Sequence, residues 1–283
     1  MILTKEFWYF LIGALSVLLP LLVVVAVKKL QWLEPRPDET LVYTRAGDTD
    51  LRLHAFYPDS ADTGGQVPAL LLFHGGRWQY GGPHSLYPQC RYFAARGIAC
   101  FSAEYRLGAQ SRVDVRGAVE DARRALHYLR DNARELGIDP DRLYAGGGSS
   151  GGHLAAALGA ALPPGDAPAM RPAALVLYNP MLDLSPGKPD SHLVVDYWRA
   201  VSPLQQIDEG YPPTLILAGT EDPEVPVATV RAFCDAVRRQ GGRCEAQLYE
   251  GQSHGFYHDS EGRNPYLQQT GAHVLAFLTS LEG

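Results

Sequence analysis

The sequence predicts an α/β fold, with a mostly parallel sheet of about eight strands and helices on both faces. Three observations predict it. Short apolar runs such as Ala69–Phe73 and Thr214–Ala218 suit strands buried on both sides. Between such runs lie segments with apolar residues at three- and four-residue spacing, the mark of amphipathic helices. Several runs end directly in loops rich in glycine or acid, namely HGGRW, GGGSSGG and GTED. Strands alternating with helices in this way give parallel pairing through crossover connections.

The N-terminus stands apart. Phe7 to Val27 (FWYFLIGALSVLLPLLVVVAV) carries no charge. As a helix it would reach about 31 Å, close to the thickness of a bilayer's hydrocarbon core. Trp8, Tyr9 and Trp32 fit interfacial anchors, and Pro20 is tolerated in a membrane helix. Residues 1–32 are therefore expected to be a single-pass membrane anchor spanning about 7–27. A cleaved signal peptide is the alternative, although its apolar core would be only about 7–15 residues. Lys28 and Lys29 outnumber Lys5 before the span, so the positive-inside rule favours a cytoplasmic domain by a narrow margin. Residues 33–39 (LEPRPDE) read as a linker, and 40–283 as the α/β domain.

Within that domain, Leu41–Thr44 and Leu51–Tyr57 read as a hairpin around Ala46-Gly47-Asp48. Ala69–Phe73 and Ala99–Ala103 follow as buried strands. Val115 to Leu136 is a helix with a stripe of Val115, Val119, Ala122, Leu126, Leu129 and Ala133, closed by Gly137. Leu143–Ala145 is a strand. Leu154, Leu158 and Leu162 mark the next helix. Ala173–Tyr178 and Thr214–Ala218 are strands, and residues 185–212 between them form an excursion long enough to cover a site. Val227, Val230, Phe233 and Val237 mark a helix ended by Gly241-Gly242. Cys244–Tyr249 is the last strand, and Leu267 to Leu281 the closing helix.

Composition excludes some functions. A net charge of −6 without basic runs argues against nucleic acid, whose phosphates draw on clustered Lys and Arg. Cys90, Cys100, Cys234 and Cys244 show no C-x-x-C spacing, so a metal is not indicated. Buried free thiols are expected, with Cys234–Cys244 pairing as the alternative in an oxidising compartment.

Ligands of open parallel sheets bind beyond the carboxyl ends of the strands. Four strands are followed there by His74-Gly75-Gly76-Arg77-Trp78, by GGGSSGG at 146–152, by Gly219-Thr220-Glu221-Asp222, and by Gly251-Gln252-Ser253-His254. Serine, acid and histidine in that order suit nucleophilic catalysis on a strand-to-helix elbow. The motif G-x-S-x-G fits twice, at Ser149 and at Ser150, and spacing alone does not choose. Glu221, Glu224 and Asp183 rival Asp222 as the acid, and His258 rivals His254 as the base. A phosphate loop is disfavoured because no G-x-x-x-x-G-K-[ST] is present.

Over roughly residues 40–281 the chain resembles α/β-hydrolases of the esterase and lipase type, within them carboxylesterases and feruloyl- or acetyl-esterase-like enzymes. The resemblance rests on HGGRW at 74–78, EYRL at 104–107, GIDPDRLYAGGGSSGGHLA at 137–155, SPL at 202–204, PPTLILAGTEDPEVP at 212–226 and YEGQSHGF at 249–256. It implies Ser149 as nucleophile, through the following Gly151-Gly152-His153-Leu154-Ala155. It implies His254 as general base and Asp222 as the acid that orients it. Oxyanion donors are expected from the backbone of Gly75, Gly76, Arg77 and Ser150. Arg77 departs from the H-G-G-G form, so its side chain either braces the loop against a carboxylate or faces an acidic substrate. His74 and Trp78 are candidate pocket residues, and 185–212 a small lid. The implied activity is cleavage of small or short-acyl carboxylic esters through an acyl-enzyme, without metal or cofactor. An amide or formamide hydrolase or a peptidase using the same triad is the alternative, and a non-catalytic ligand-binding homologue a further one.

Overall fold

The computed structural model describes residues 35–59, 65–108, 113–160, 170–258 and 264–282. The apolar stretch at 7–27, the start of the linker and Leu162 lie outside the described residues. Among those described, no helix is long and apolar enough to cross a membrane.

Eight strands form one sheet: β1 (Glu39–Ala46), β2 (Thr49–Phe56), β3 (Val67–Phe73), β4 (Ala99–Ala103), β5 (Ile138–Gly148), β6 (Leu175–Tyr178), β7 (Thr214–Gly219) and β8 (Cys244–Tyr249). Their order is β1-β2-β4-β3-β5-β6-β7-β8. The β1–β2 and β2–β4 pairs are antiparallel and every later pair is parallel. Central strands have both faces covered, and so read as unbroken apolar runs. Leu70, Leu71, Leu72 and Phe73 are all fully buried, with Leu71 and Phe73 facing one hydrophobic core and Leu70 and Leu72 the other.

Among the described residues, five helices cover the faces: α1 (Tyr87–Ala94), α2 (Val115–Asp131), α3 (Ser150–Gly159), α4 (Val227–Arg239) and α5 (Pro265–Thr279). The stripe Val115, Val119, Ala122, Leu126 and Leu129 of α2 is buried, and Asp114 caps the helix by accepting from the Gly117 N–H. Helix α2 ends at Asp131, short of Leu136, and the chain leaves it through turns to Gly137 at φ 67°. Helix α1 has no counterpart among the expected elements: its buried residues Cys90, Phe93 and Ala94 keep helical spacing, but the helix is only eight residues long and another buried position, Gln89, is polar.

The cysteines correct an expectation. They are buried, but as disulfides: Cys90–Cys100 joins α1 to β4, and Cys234–Cys244 joins α4 to β8. Each pair consists of a helix residue lying over a strand, with Cα atoms 4.9 and 5.0 Å apart. That separation is within the ordinary range for a bridge.

The order of the sheet fixes where chemistry can occur. After β3 the chain turns back to β4 on one side, then crosses to β5 on the other. The carboxyl ends of β3 and β5 therefore flank the switch point, where open α/β sheets form their ligand crevice.

Candidate active site

Strand β5 runs into α3 through a sharp elbow. Ser149 sits at φ 54°, ψ −120°, a conformation a side chain adopts only when its surroundings over-determine it. Here they do. The Ser149 N–H donates to the Tyr178 carbonyl (2.9 Å), and the Ser149 carbonyl accepts from the N–H groups of His153 (3.0 Å) and Met181 (3.2 Å). The flanking glycines are required sterically. A Cβ on Gly147 would lie 2.4 Å from the Phe73 carbonyl oxygen, and one on Gly151 would lie 2.0 Å from it. Ser150, the other serine satisfying the motif, opens α3 and is fully buried. At that position its N–H has no intrahelical acceptor.

Three strand ends bring the predicted polar residues together. His254, from the loop after β8, has Nε2 2.8 Å from the Ser149 Oγ and Nδ1 2.7 Å from Asp222 Oδ2. Asp222 follows β7, and its side chain is wholly buried. Its Oδ1 accepts from the N–H groups of Glu224 (2.8 Å) and Val225 (3.0 Å), and its Oδ2 also accepts from the Asn179 Nδ2. Burial alone would push this carboxyl up. The hydrogen bonds from His254, Asn179 and Val225 outweigh it and hold Asp222 below the usual carboxylate range. An ionised acceptor opposite Nδ1 fixes the imidazole proton on that nitrogen, which leaves Nε2 free to accept from the serine hydroxyl.

The rival candidates do not bridge to the serine: Glu224 gives its N–H to Asp222 and its carboxylate to Arg77. Asp183 is 3.8 Å from Lys188 and accepts from Gln205. His258 packs against Tyr257, and burial pushes its imidazole below the usual range. Glu221 is exposed. Among the described residues, no group of three His, Cys, Asp or Glu side chains could hold a metal ion.

The loop after β3 closes the site. A Cβ on Gly75 would stand 3.2 Å from both the Gly148 carbonyl oxygen and the Ser149 Cβ, so this backbone lies directly against the elbow. Gly76, Arg77 and Trp78 have φ of 129°, 54° and 59°. Among the described residues, the N–H groups of Gly76 and Arg77 find no protein acceptor. The arginine side chain braces the loop: Nη1 is 2.5 Å from Asp190 Oδ1 and Nη2 is 3.0 Å from Glu224 Oε2. Gly76 is indispensable to this turn. Its Cβ would fall 1.9 Å from the Tyr80 carbonyl oxygen, and its φ is one that L side chains rarely adopt. Gly76→Ala should therefore lower both catalytic rate and thermal midpoint; a variant with wild-type values of both would contradict this geometry.

His74 and Trp78 depart from expectation. Each is only 1% exposed, so they support the loop from beneath rather than line a pocket. The left-handed backbone at Arg77 and Trp78 turns the indole into the core, where it meets His153 edge-on at 5.0 Å. His74 stacks on Tyr105 at 4.5 Å, bonds the Gly75 carbonyl through Nδ1 (2.7 Å), and accepts the Tyr105 hydroxyl on its own carbonyl (2.9 Å). Asn179, Tyr105 and Asp190 thus serve the site without having been expected there, and Glu224, expected as a rival acid, serves it by holding Arg77. Asn179 follows β6 directly, and that strand-end position was the available signal.

Burial pushes His74 and His153 down from 6.5 to about 4. Both are neutral in the fold, while the unfolded chain binds protons from about 6.5 downward. Stability is therefore full above 6.5 and lost as pH falls toward 4, by on the order of 3 kcal/mol per histidine. Urea midpoints should drop across that window. His153→Gln, which keeps a donor for the Val201 carbonyl that His153 Nε2 meets at 2.6 Å, should flatten the drop. An identical slope in the variant would exclude His153 as a contributor.

The family described as "alpha/beta hydrolase fold" matches residues 70–199, and the "Prolyl oligopeptidase family" matches 173–280. Esterase 2 of Thermogutta terrifontis in its apo form superimposes with a TM-score of 0.78 and is 37% identical, covering 86% of this chain and 94% of that one. Esterase LipQ of Mycobacterium tuberculosis is 30% identical over 210 residues, 65% of this chain and 48% of LipQ. An acetylxylan esterase of Xylanibacter ruminicola is 27% identical over 213 residues, 65% of this chain and 41% of that enzyme. The chain spans about half the length of the first curated relatives it matches, 48% and 50%.

Proposed function

From the premise that this chain belongs to the α/β-hydrolase family, we propose that it is a serine hydrolase of small carboxylic esters. The observation that carries the reading is the continuous hydrogen-bonded line from Asp222 through His254 to the Ser149 Oγ, set beside a loop of unpaired backbone donors. In this reading Ser149 Oγ attacks the ester carbonyl as its proton passes to His254 Nε2. The C–O bond to the alcohol breaks, and the alcohol leaves with that proton. Water, deprotonated by the same nitrogen, then releases the acid and restores the serine. The N–H groups of Gly76, Arg77 and Ser150 receive the developing oxyanion, with Gly75 shaping the approach. Donors of this kind are worth about 3–4 kcal/mol each.

A short acyl group is supported by the related Thermogutta terrifontis esterase 2, whose structures are described as propionate-bound and butyrate-bound. A peptidase or amidase reading has one family match on its side, while the solved neighbours named above are esterases. A panel of aryl esters of increasing acyl length, run beside aryl formamides and peptidyl anilides, tests the proposal. Highest kcat/KM on short-acyl esters is expected, and amide turnover exceeding ester turnover would overturn it.

We infer further that residues 7–27 anchor the chain in a membrane and that the α/β domain faces an oxidising compartment. The uncharged 21-residue stretch supports the first. Two disulfides support the second, because such bonds are rare where thiols are kept reduced. This reverses the narrow preference that flanking lysines gave. Thiols that react with maleimide in the intact cell extract before any reductant is added would contradict it.

A further inference from the structure

Two successive non-glycine residues of the oxyanion loop, Arg77 and Trp78, hold left-handed backbone. Such conformations persist only where neighbouring contacts impose them. Trp78 is held by the core. Arg77, whose side chain is 37% exposed, is held by two carboxylates from two other loops. Asp190 lies in the β6–β7 connection, is 5% exposed, and its second carboxylate oxygen has no partner among the described residues. Arg77 is thus its principal charge compensation. Glu224 lies two residues beyond Asp222 and donates its own N–H to that acid.

Glu224 also reaches the reacting centre. The same oxygen that accepts from Arg77, Oε2, is 3.9 Å from His254 Nε2. That nitrogen carries the proton in transit from serine to leaving group. The charged and titratable groups facing this imidazole are Asp222 on Nδ1, Glu224 beside Nε2, and His258 nearby, with Arg77 behind Glu224. The guanidinium is already shared by two carboxylates, and the cluster of Arg77, Asp190 and Glu224 keeps an excess of one negative charge.

We propose that Arg77 is a positioning residue, clamped between Asp190 and Glu224, that fixes the oxyanion-donating backbone beside Ser149 and neutralises the carboxylate next to His254 Nε2. The planar fork of arginine suits two carboxylates at once. Removing it frees the loop from its left-handed turn and leaves Glu224 uncompensated. A bare carboxylate near the imidazole favours the imidazolium, so the acid limb of the pH–rate profile moves to higher pH. The proposal rests on the serine-hydrolase reading and deepens it.

The test uses the full chain and a neutral short-chain aryl ester, with kcat and KM measured across pH for wild type, Arg77→Ala, Arg77→Lys, Glu224→Gln and the double variant Arg77→Ala/Glu224→Gln. Arg77→Ala should lose at least ~10-fold in kcat with little change in KM, as expected when transition-state donors are misplaced. Its acid limb should rise by roughly half a pH unit or more. Arg77→Lys should recover part of the rate. The double variant should return the limb to its wild-type position while kcat stays low. Glu224→Gln alone should move the limb downward, which keeps the proposal testable if Arg77→Ala does not fold. An unmoved limb in both single variants of an active enzyme overturns the clamp alone, as does a loss carried by KM only. A wild type that turns over no ester overturns the functional reading and the clamp with it.

Discussion

Ser149→Ala is expected to lower kcat by about 10⁶-fold, the scale seen when the nucleophile of a serine triad is removed. Ser150→Ala is expected to retain most of the rate. The two serines share one glycine run, yet their surroundings differ completely. Ser149 occupies the elbow with its Oγ on His254 Nε2, while Ser150 lies in the first turn of α3 with no exposure. The task assigned to Ser150 is its backbone N–H, which alanine supplies equally. Steady-state kinetics on a short-acyl aryl ester, with circular dichroism to verify folding, measures both. Substantial turnover by Ser149→Ala would mean that water or another hydroxyl does the work assigned to Oγ.

The second large effect is expected from Asp222→Asn, about 10⁴-fold in kcat with the fold retained. Asp222 Oδ1 accepts two backbone N–H groups, from Glu224 and Val225. An asparagine must keep its carbonyl oxygen there, because an amide NH₂ facing two N–H donors would leave all of them unsatisfied. Its NH₂ then faces His254 Nδ1 and the Asn179 Nδ2. The imidazole responds by accepting at Nδ1 and carrying its proton on Nε2. In that tautomer it cannot take a proton from Ser149. The loss should therefore fall on kcat rather than on KM, and a variant keeping a tenth of the wild-type rate would show that orientation by Asp222 matters little.

The fold was legible to the extent that burial is two-sided. Strands β3, β6 and β7 read directly because both faces meet a core, and the hairpin β1–β2 read from its turn. Helix α1 did not, since it is only eight residues long and the polar Gln89 among its buried positions interrupts the short stripe of Cys90, Phe93 and Ala94. The disulfide Cys90–Cys100 was lost with it, because its geometry depends on that helix lying over β4. At the site, serine, acid and histidine were legible because each closes a strand whose carboxyl end faces one crevice. The support around them was not. Asn179 meets Asp222 across 43 residues, and Arg77 meets Asp190 across 113 and Glu224 across 147. No local pattern encodes such pairings. The inward turn of Trp78 was hidden for a different reason: its direction is set by left-handed backbone at a position where a side chain is uncommon.

The central claim is that Ser149, activated by His254, is the nucleophile of an ester hydrolase. Thermogutta terrifontis esterase 2 is described as phosphorylated by paraoxon, which makes the same reagent the most direct probe here. The folded protein should take up one phosphoryl adduct per chain, on the peptide carrying Ser149. Esterase activity should fall in proportion to adduct, and Ser149→Ala should take up none. Ester turnover that persists after full labelling, or an adduct located on any other residue, would contradict the account.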